Sequence, residues 1–105
     1  MILLRSFMRL KRLAKPLFIR RVSGDSMLPT LHDRRIVLGT SILKPKTGRV
    51  VVIKHDNLEK IKRIKSIDGN YLFVVGDNPS KSTDSRSFGK IKSSSVIGRV
   101  IFPKV

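Results

Sequence analysis

Residues 58–67 read LEKIKRIKSI, and they decide how the whole chain is read. Leu58, Ile61, Ile64 and Ile67 recur every three positions, a spacing that suits a helical face better than the two-residue alternation of a strand. Their surroundings point the other way. FIRRV (18–22), RRIVLG (34–39), RVVVIK (49–54), NYLFVVG (70–76) and VIGRVIF (96–102) are short β-branched or aromatic runs. Gly, Pro, Asn, Asp and Ser separate them, the pattern of a compact, mainly β domain. Periodicity alone leaves residues 58–67 undecided.

Size and composition limit the alternatives. A chain of 105 residues is one small domain with a modest core, and 40% hydrophobic content excludes wholesale disorder. The absence of cysteine excludes disulfides, a thiol nucleophile and thiolate metal sites. His32 and His55 have few carboxylates near them in sequence and read as surface residues, so neither a metal nor another cofactor is expected. NPSKSTDSRS (78–87) reads locally as a polar loop.

The formal charge of +16 calls for an anionic partner: nucleic acid, phospholipid headgroups or acidic protein. Residues 1–21 carry +7 of it, on Arg5, Arg9, Lys11, Arg12, Lys15, Arg20 and Arg21, with no acid. Within them Leu3, Phe7, Leu10, Ala14 and Leu17 alternate at spacings of four and three, which predicts an amphipathic helix over 1–17 that Pro16 ends or kinks. Arg5, Arg9 and Arg12 fall opposite the apolar stripe. No run reaches the roughly 18 to 20 apolar residues that span a bilayer. Arginines also interrupt anything like an export-signal core. A basic helix with a Leu/Phe face suits the headgroup region of an anionic membrane, so the expected arrangement is a surface anchor (1–17) followed by a β-domain (18–105).

VSGDSMLPTL (22–31) places Ser26 between a Gly-Asp pair and a proline turn. A serine hydroxyl is a weak nucleophile and needs a base. A Ser-His-Asp triad is possible but unsupported by the sequence, and lysine is the other option. A lysine becomes a base only when burial penalises its ammonium form. Lys62, between Ile61 and Arg63-Ile64, has a setting of that kind, although most of the chain's lysines must be solvated.

Three blocks together resemble the motif boxes of the type I signal peptidase family, Ser-Lys dyad endopeptidases. SGDSMLPTL (23–31) is similar to the nucleophile box, KIKRI (60–64) to the lysine box, and GDNPSKSTDSRSFGKIKSSSVIGRV (76–100) to the long third box. The resemblance implies a mainly β fold, and so a strand at 58–67. It implies Ser26 as nucleophile, the Ser26 backbone N–H as an oxyanion donor, and Lys62 as general base. Ser82 would orient the lysine. Asp84 and Arg86 would pair beneath the site, with Gly76, Asp77 and Asn78 as structural support. Gly24 stands where some relatives have a serine that completes the oxyanion hole. SIDGN (66–70) replaces the Pro-Gly-Asp that often follows the lysine box. Only 13 residues separate Lys62 from Gly76, too few for the second β-domain of larger relatives.

Within the family, the third box most resembles the nickel-type superoxide dismutase maturation proteases, and the small mitochondrial inner-membrane peptidases are also similar. Self-cleaving repressors share a Ser-Lys core but not this loop. The expectation is therefore a serine endopeptidase that removes a leader or signal segment from a precursor protein, peripherally attached to an anionic membrane on the side where it is made, with no nucleic-acid partner. The alternative is a non-catalytic basic module on the same fold, binding membrane or nucleic acid.

Overall fold

The computed structural model describes residues 16–105. They form one antiparallel sheet of seven strands in the order β1-β2-β7-β3-β4-β5-β6. The strands are β1 (Leu17–Arg21), β2 (Ile36–Thr40), β3 (Val50–His55), β4 (Leu58–Asp68), β5 (Tyr71–Val75), β6 (Ile91–Lys92) and β7 (Val96–Phe102). A 3-10 turn (Pro79–Lys81) and a single helical turn, α1 (Ser85–Phe88), interrupt the loop between β5 and β6. The helix expected over 1–17 lies outside the described residues, except at its end. There Pro16 is in a turn and Leu17 opens β1, one residue before the expected start of the β-domain.

Residues 58–67 are strand throughout. The three-residue spacing of the isoleucines follows from a sheet that buries apolar groups on both faces. Ile61 packs against a core of Val22, Met27, Leu31, Val37, Val50, Val52 and Val100. Ile64, an odd number of residues on, belongs to the opposite core of Val51, Ile53, Leu72, Val74 and Ile91. A register shift against β5 then falls between Ile64 and Ser66, and Ile67 is left 40% exposed. Central strand β3 serves both cores, with Val50 and Val52 on one side and Val51 and Ile53 on the other, so RVVVIK shows no alternation at all.

A two-residue hairpin fixes the β3–β4 register. Asp56 and Asn57 both have positive φ (52° and 61°), the requirement of a type I′ turn. His55 then pairs with Leu58, and counting back along the ladder Val51 pairs with Lys62. At the other end of the sheet the Phe18 ring lies against Gly39 and Gly98. A Cβ would fall 2.3 Å from a ring atom at Gly39 and 2.5 Å from one at Gly98.

Candidate active site

The loop after β1 carries Ser26. The next residue, Met27, is fully buried, and Leu31 is 1% exposed, so both plug the first core and hold the loop between them. The Thr30 and Leu31 N–H groups both donate to the Met27 carbonyl, at 2.8 and 2.9 Å, closing the turn. The loop's carbonyls are held from the other side. Asn78 donates its backbone N–H to the Ser26 carbonyl (2.9 Å) and its side-chain amide to that of Asp25 (3.0 Å). Gly76 makes this approach feasible, because a Cβ there would stand 2.6 Å from the Ser26 carbonyl oxygen and 2.3 Å from Ser82 Oγ. Among the described residues nothing accepts from the Ser26 N–H. The Gly24 N–H is already given to Asp33 Oδ1 at 2.8 Å.

Lys62 stands on β4 and is 4% exposed. Burial pushes its amine below the ordinary lysine value, aided by the nearby charges of Lys60 and Arg86 and opposed by Asp84. Its Nζ donates to Ser82 Oγ at 2.9 Å, and Ser82 Oγ donates to Asp84 Oδ2 at 2.6 Å. Asp84 is 1% exposed and accepts four further bonds, two from the Arg86 guanidinium and one each from the Gly76 and Arg86 backbone N–H groups. Burial alone would raise the Asp84 carboxyl, but these bonds outweigh it and hold it well below the usual carboxylate range. Asp84 also caps α1, and Ser85 Oγ accepts from the Val74 N–H at 2.9 Å, tying the turn to β5.

Asp77 joins the parts. It receives Arg63 Nε at 2.9 Å and a second guanidinium nitrogen at 2.8 Å, and it also accepts from the Thr30 hydroxyl. Since Arg63 follows Lys62 and Thr30 lies in the Ser26 loop, one carboxylate ties the lysine strand to the serine loop. The Arg63 hydrogen bond holds Asp77 below its ordinary range. Thr30 and Arg63 had no local signal in the sequence that marked them as partners of Asp77.

Ser26 and Lys62 line one cleft of about 240 Å³. Its walls come from Arg20 and Arg21 of β1, Glu59 to Lys62 of β4, and Lys81 and Thr83 of the third-box loop. Met27 lines it too, and no residue of β2 does. Neither histidine does either: His32 is exposed, and His55 stacks on Phe88 with ring centroids 3.9 Å apart. Two strand edges beside the cleft are unpaired among the described residues. β1 pairs only with β2, and β4 meets β5 only from Arg63 onward. No helix among the described residues is long and apolar enough to cross a membrane.

Comparison with known proteins agrees with this architecture. The family model described as Peptidase S24-like matches residues 3–101. The chain is 30% identical to the mitochondrial ATP-independent inner membrane protease subunit 1b of Arabidopsis thaliana, over 81% of this chain and 68% of that protein. It is 35% identical to signal peptidase I of Bacillus amyloliquefaciens, over 53% of this chain and 32% of that one. The chain belongs to the Peptidase S24-like family, as a peptidase of the type I signal-peptidase kind.

Proposed function

We propose that the protein is a serine endopeptidase in which Ser26 attacks and Lys62 is the general base, acting on a leader or signal segment of a precursor protein. The observation that carries this reading is a lysine buried to 4% exposure, hydrogen-bonded to Ser82, in the same cleft as Ser26. The direction of the Ser82 bonds matters. Its hydroxyl proton is committed to Asp84, so toward Lys62 its oxygen can only accept. One amine N–H is thereby fixed, and the lone pair of the neutral amine is not taken up by Ser82. A lone pair left free on a desolvated amine is what a serine hydroxyl needs in order to lose its proton.

In the proposed reaction Lys62 takes the Ser26 proton as Oγ adds to the scissile carbonyl. The Ser26 N–H donates to the oxygen that becomes negative. The ammonium form of Lys62 then returns the proton to the leaving amine, and water hydrolyses the acyl-enzyme by the same route. The two unpaired edges flanking the cleft suit a substrate bound as an extended strand. The third-box resemblance makes the nickel-type superoxide dismutase precursor the candidate substrate, and the basic stripe of residues 1–17 suits attachment to an anionic membrane.

The test is mass spectrometry of products after the pure protein meets candidate precursors in lipid micelles. A single new N-terminus, absent with Ser26→Ala at unchanged thermal stability, is the expected result. Equal cleavage by Ser26→Ala would sink the mechanism. No cleavage of any precursor would return the fold to a basic binding module.

A further inference from the structure

The cleft has a charge of its own, separate from the chemistry of Ser26 and Lys62. All seven acids of the chain lie within the described residues, because residues 1–15 contain none. Asp77, Asp84 and Asp68 are bound to Arg63, Arg86 and Lys90. Asp56 lies beside His55, and Asp33 holds the Gly24 N–H. Asp25 does not line the cleft, so the one acid in its wall is Glu59. Glu59 is already gripped by two guanidinium nitrogens of Arg20, at 2.5 and 3.2 Å. Arg21, Lys60 and Lys81 also line the cleft, and no carboxylate partners any of them. The Lys60 ammonium lies 4.9 Å from the Phe88 ring and 3.5 Å from His55 Nδ1.

Resting on the peptidase reading above, we propose that the cleft selects precursors with acidic side chains on the residues flanking the scissile bond, and that Arg21, Lys60 and Lys81 determine this specificity. An acidic substrate residue supplies the carboxylates the wall lacks, whereas a basic one meets like charge on both sides of the cleft. A peptide fits better than a phosphodiester because the same cleft offers two unpaired strand edges, whose alternating N–H and C=O groups match a polypeptide backbone. Arg21 and Lys81 are exposed, so the preference is strongest at low salt and fades as ions screen it.

The experiment uses the full chain and short synthetic peptides with a common small-residue core and flanks of Asp, Asn or Lys. The expected kcat/KM is about tenfold higher for Asp than for Asn flanks at low salt. Arg21→Glu combined with Lys81→Glu reverses the order, while Lys92→Glu combined with Lys104→Glu, equal in charge but away from the cleft, keeps it. Equal rates with Asp and Asn flanks overturn the inference. So does a loss of preference as large in the remote double variant as in the cleft variant. Binding of the same peptides to Ser26→Ala separates this from the peptidase reading. Acid preference in binding without cutting by the native chain defeats the peptidase reading and upholds the selectivity. Cutting without any preference does the reverse. Single-stranded oligothymidylate that outcompetes the acidic peptide through Arg21 and Lys81 overturns the inference in favour of nucleic acid.

Discussion

At the scale of single residues, a charge that the fold makes unwelcome is the centre of the site. Lys62 is depressed by burial, so between its folded and unfolded pKa values the unfolded chain holds one more proton. Stability therefore rises with pH across that window, and at neutral pH the buried amine weakens the fold. Lys62→Met should be inactive yet melt at a higher temperature than the native chain at pH 7, and that advantage should shrink as pH approaches 10.5. A lower melting temperature at pH 7 would contradict the burial argument. In the native chain the pH–rate profile should rise through an apparent pKa below that of free lysine, and His32→Ala and His55→Ala should leave its midpoint in place. Ser82 acts one bond away. Ser82→Ala should slow turnover by roughly two to three orders of magnitude, since the amine loses the partner that aims it. Asp84 keeps Arg86 and Gly76 in that variant, so melting should change little. Asp84→Asn should instead lower melting temperature and activity together. A depressed carboxylate stabilises above its ordinary pKa and loses that contribution as pH falls, so this variant should also show a flatter acid limb.

At the scale of elements, three segments meet at Gly76. The end of β5, the Ser26 loop and the Ser82 loop converge where a side chain would collide with both Ser26 and Ser82. Gly76→Ala should cost about 1–3 kcal/mol, the usual range for overpacking, and should reduce activity beyond what that loss explains. The reason is that the obstructed Ser26 oxygen is backbone and cannot rotate aside. Comparing unfolding midpoints with cleavage rates checks this, and activity that falls only in step with stability would count against it. Strand β4 shows the same economy of design. One residue of the Lys62–Arg63 pair faces Ser82, and the next reaches Asp77 and the serine loop. The hairpin at Asp56-Asn57 sets the register that puts them there.

At the scale of the whole molecule, charge is unevenly spread, with +7 in the first 21 residues. Each basic residue near an anionic surface contributes on the order of 1 kcal/mol, and apolar side chains such as Phe7 and Leu10 would add a part that salt does not screen. The full chain should bind anionic vesicles more tightly than neutral ones, and high salt should weaken that binding without abolishing it. Phe7→Glu with Leu10→Glu should remove most of the binding while cleavage of a soluble peptide continues. Sedimentation with vesicles reads the first effect and peptide hydrolysis the second. Undiminished binding by the double variant would place the membrane contact elsewhere on the molecule.

Local chemistry makes much of this legible in the sequence. Short β-branched runs between turn residues marked five of the seven strands, because strand propensity and turn chemistry are properties of neighbouring residues. Strand β6, two residues long, and the helical turn at Ser85–Phe88 are too short to leave a periodic signal. Of the residues the three motif blocks named, Ser26 and Lys62 line the cleft and Ser82 is bonded to Lys62. The sequence could not resolve residues 58–67 by pattern, since an isoleucine every third position is strand-like only when both faces of the sheet are covered, and covering is a tertiary event. Nor could it show that Asp77 joins Thr30 to Arg63, or that β1 and β4 wall the cleft. Those contacts pair residues up to 47 positions apart. Sequence by itself determined which groups are present and which segments extend, because those depend on residue type and near neighbours. Only the tertiary structure decided which lysine is dry, which acid lines the cleft and which strand edges stay open, because burial and pairing depend on what the distant chain brings alongside.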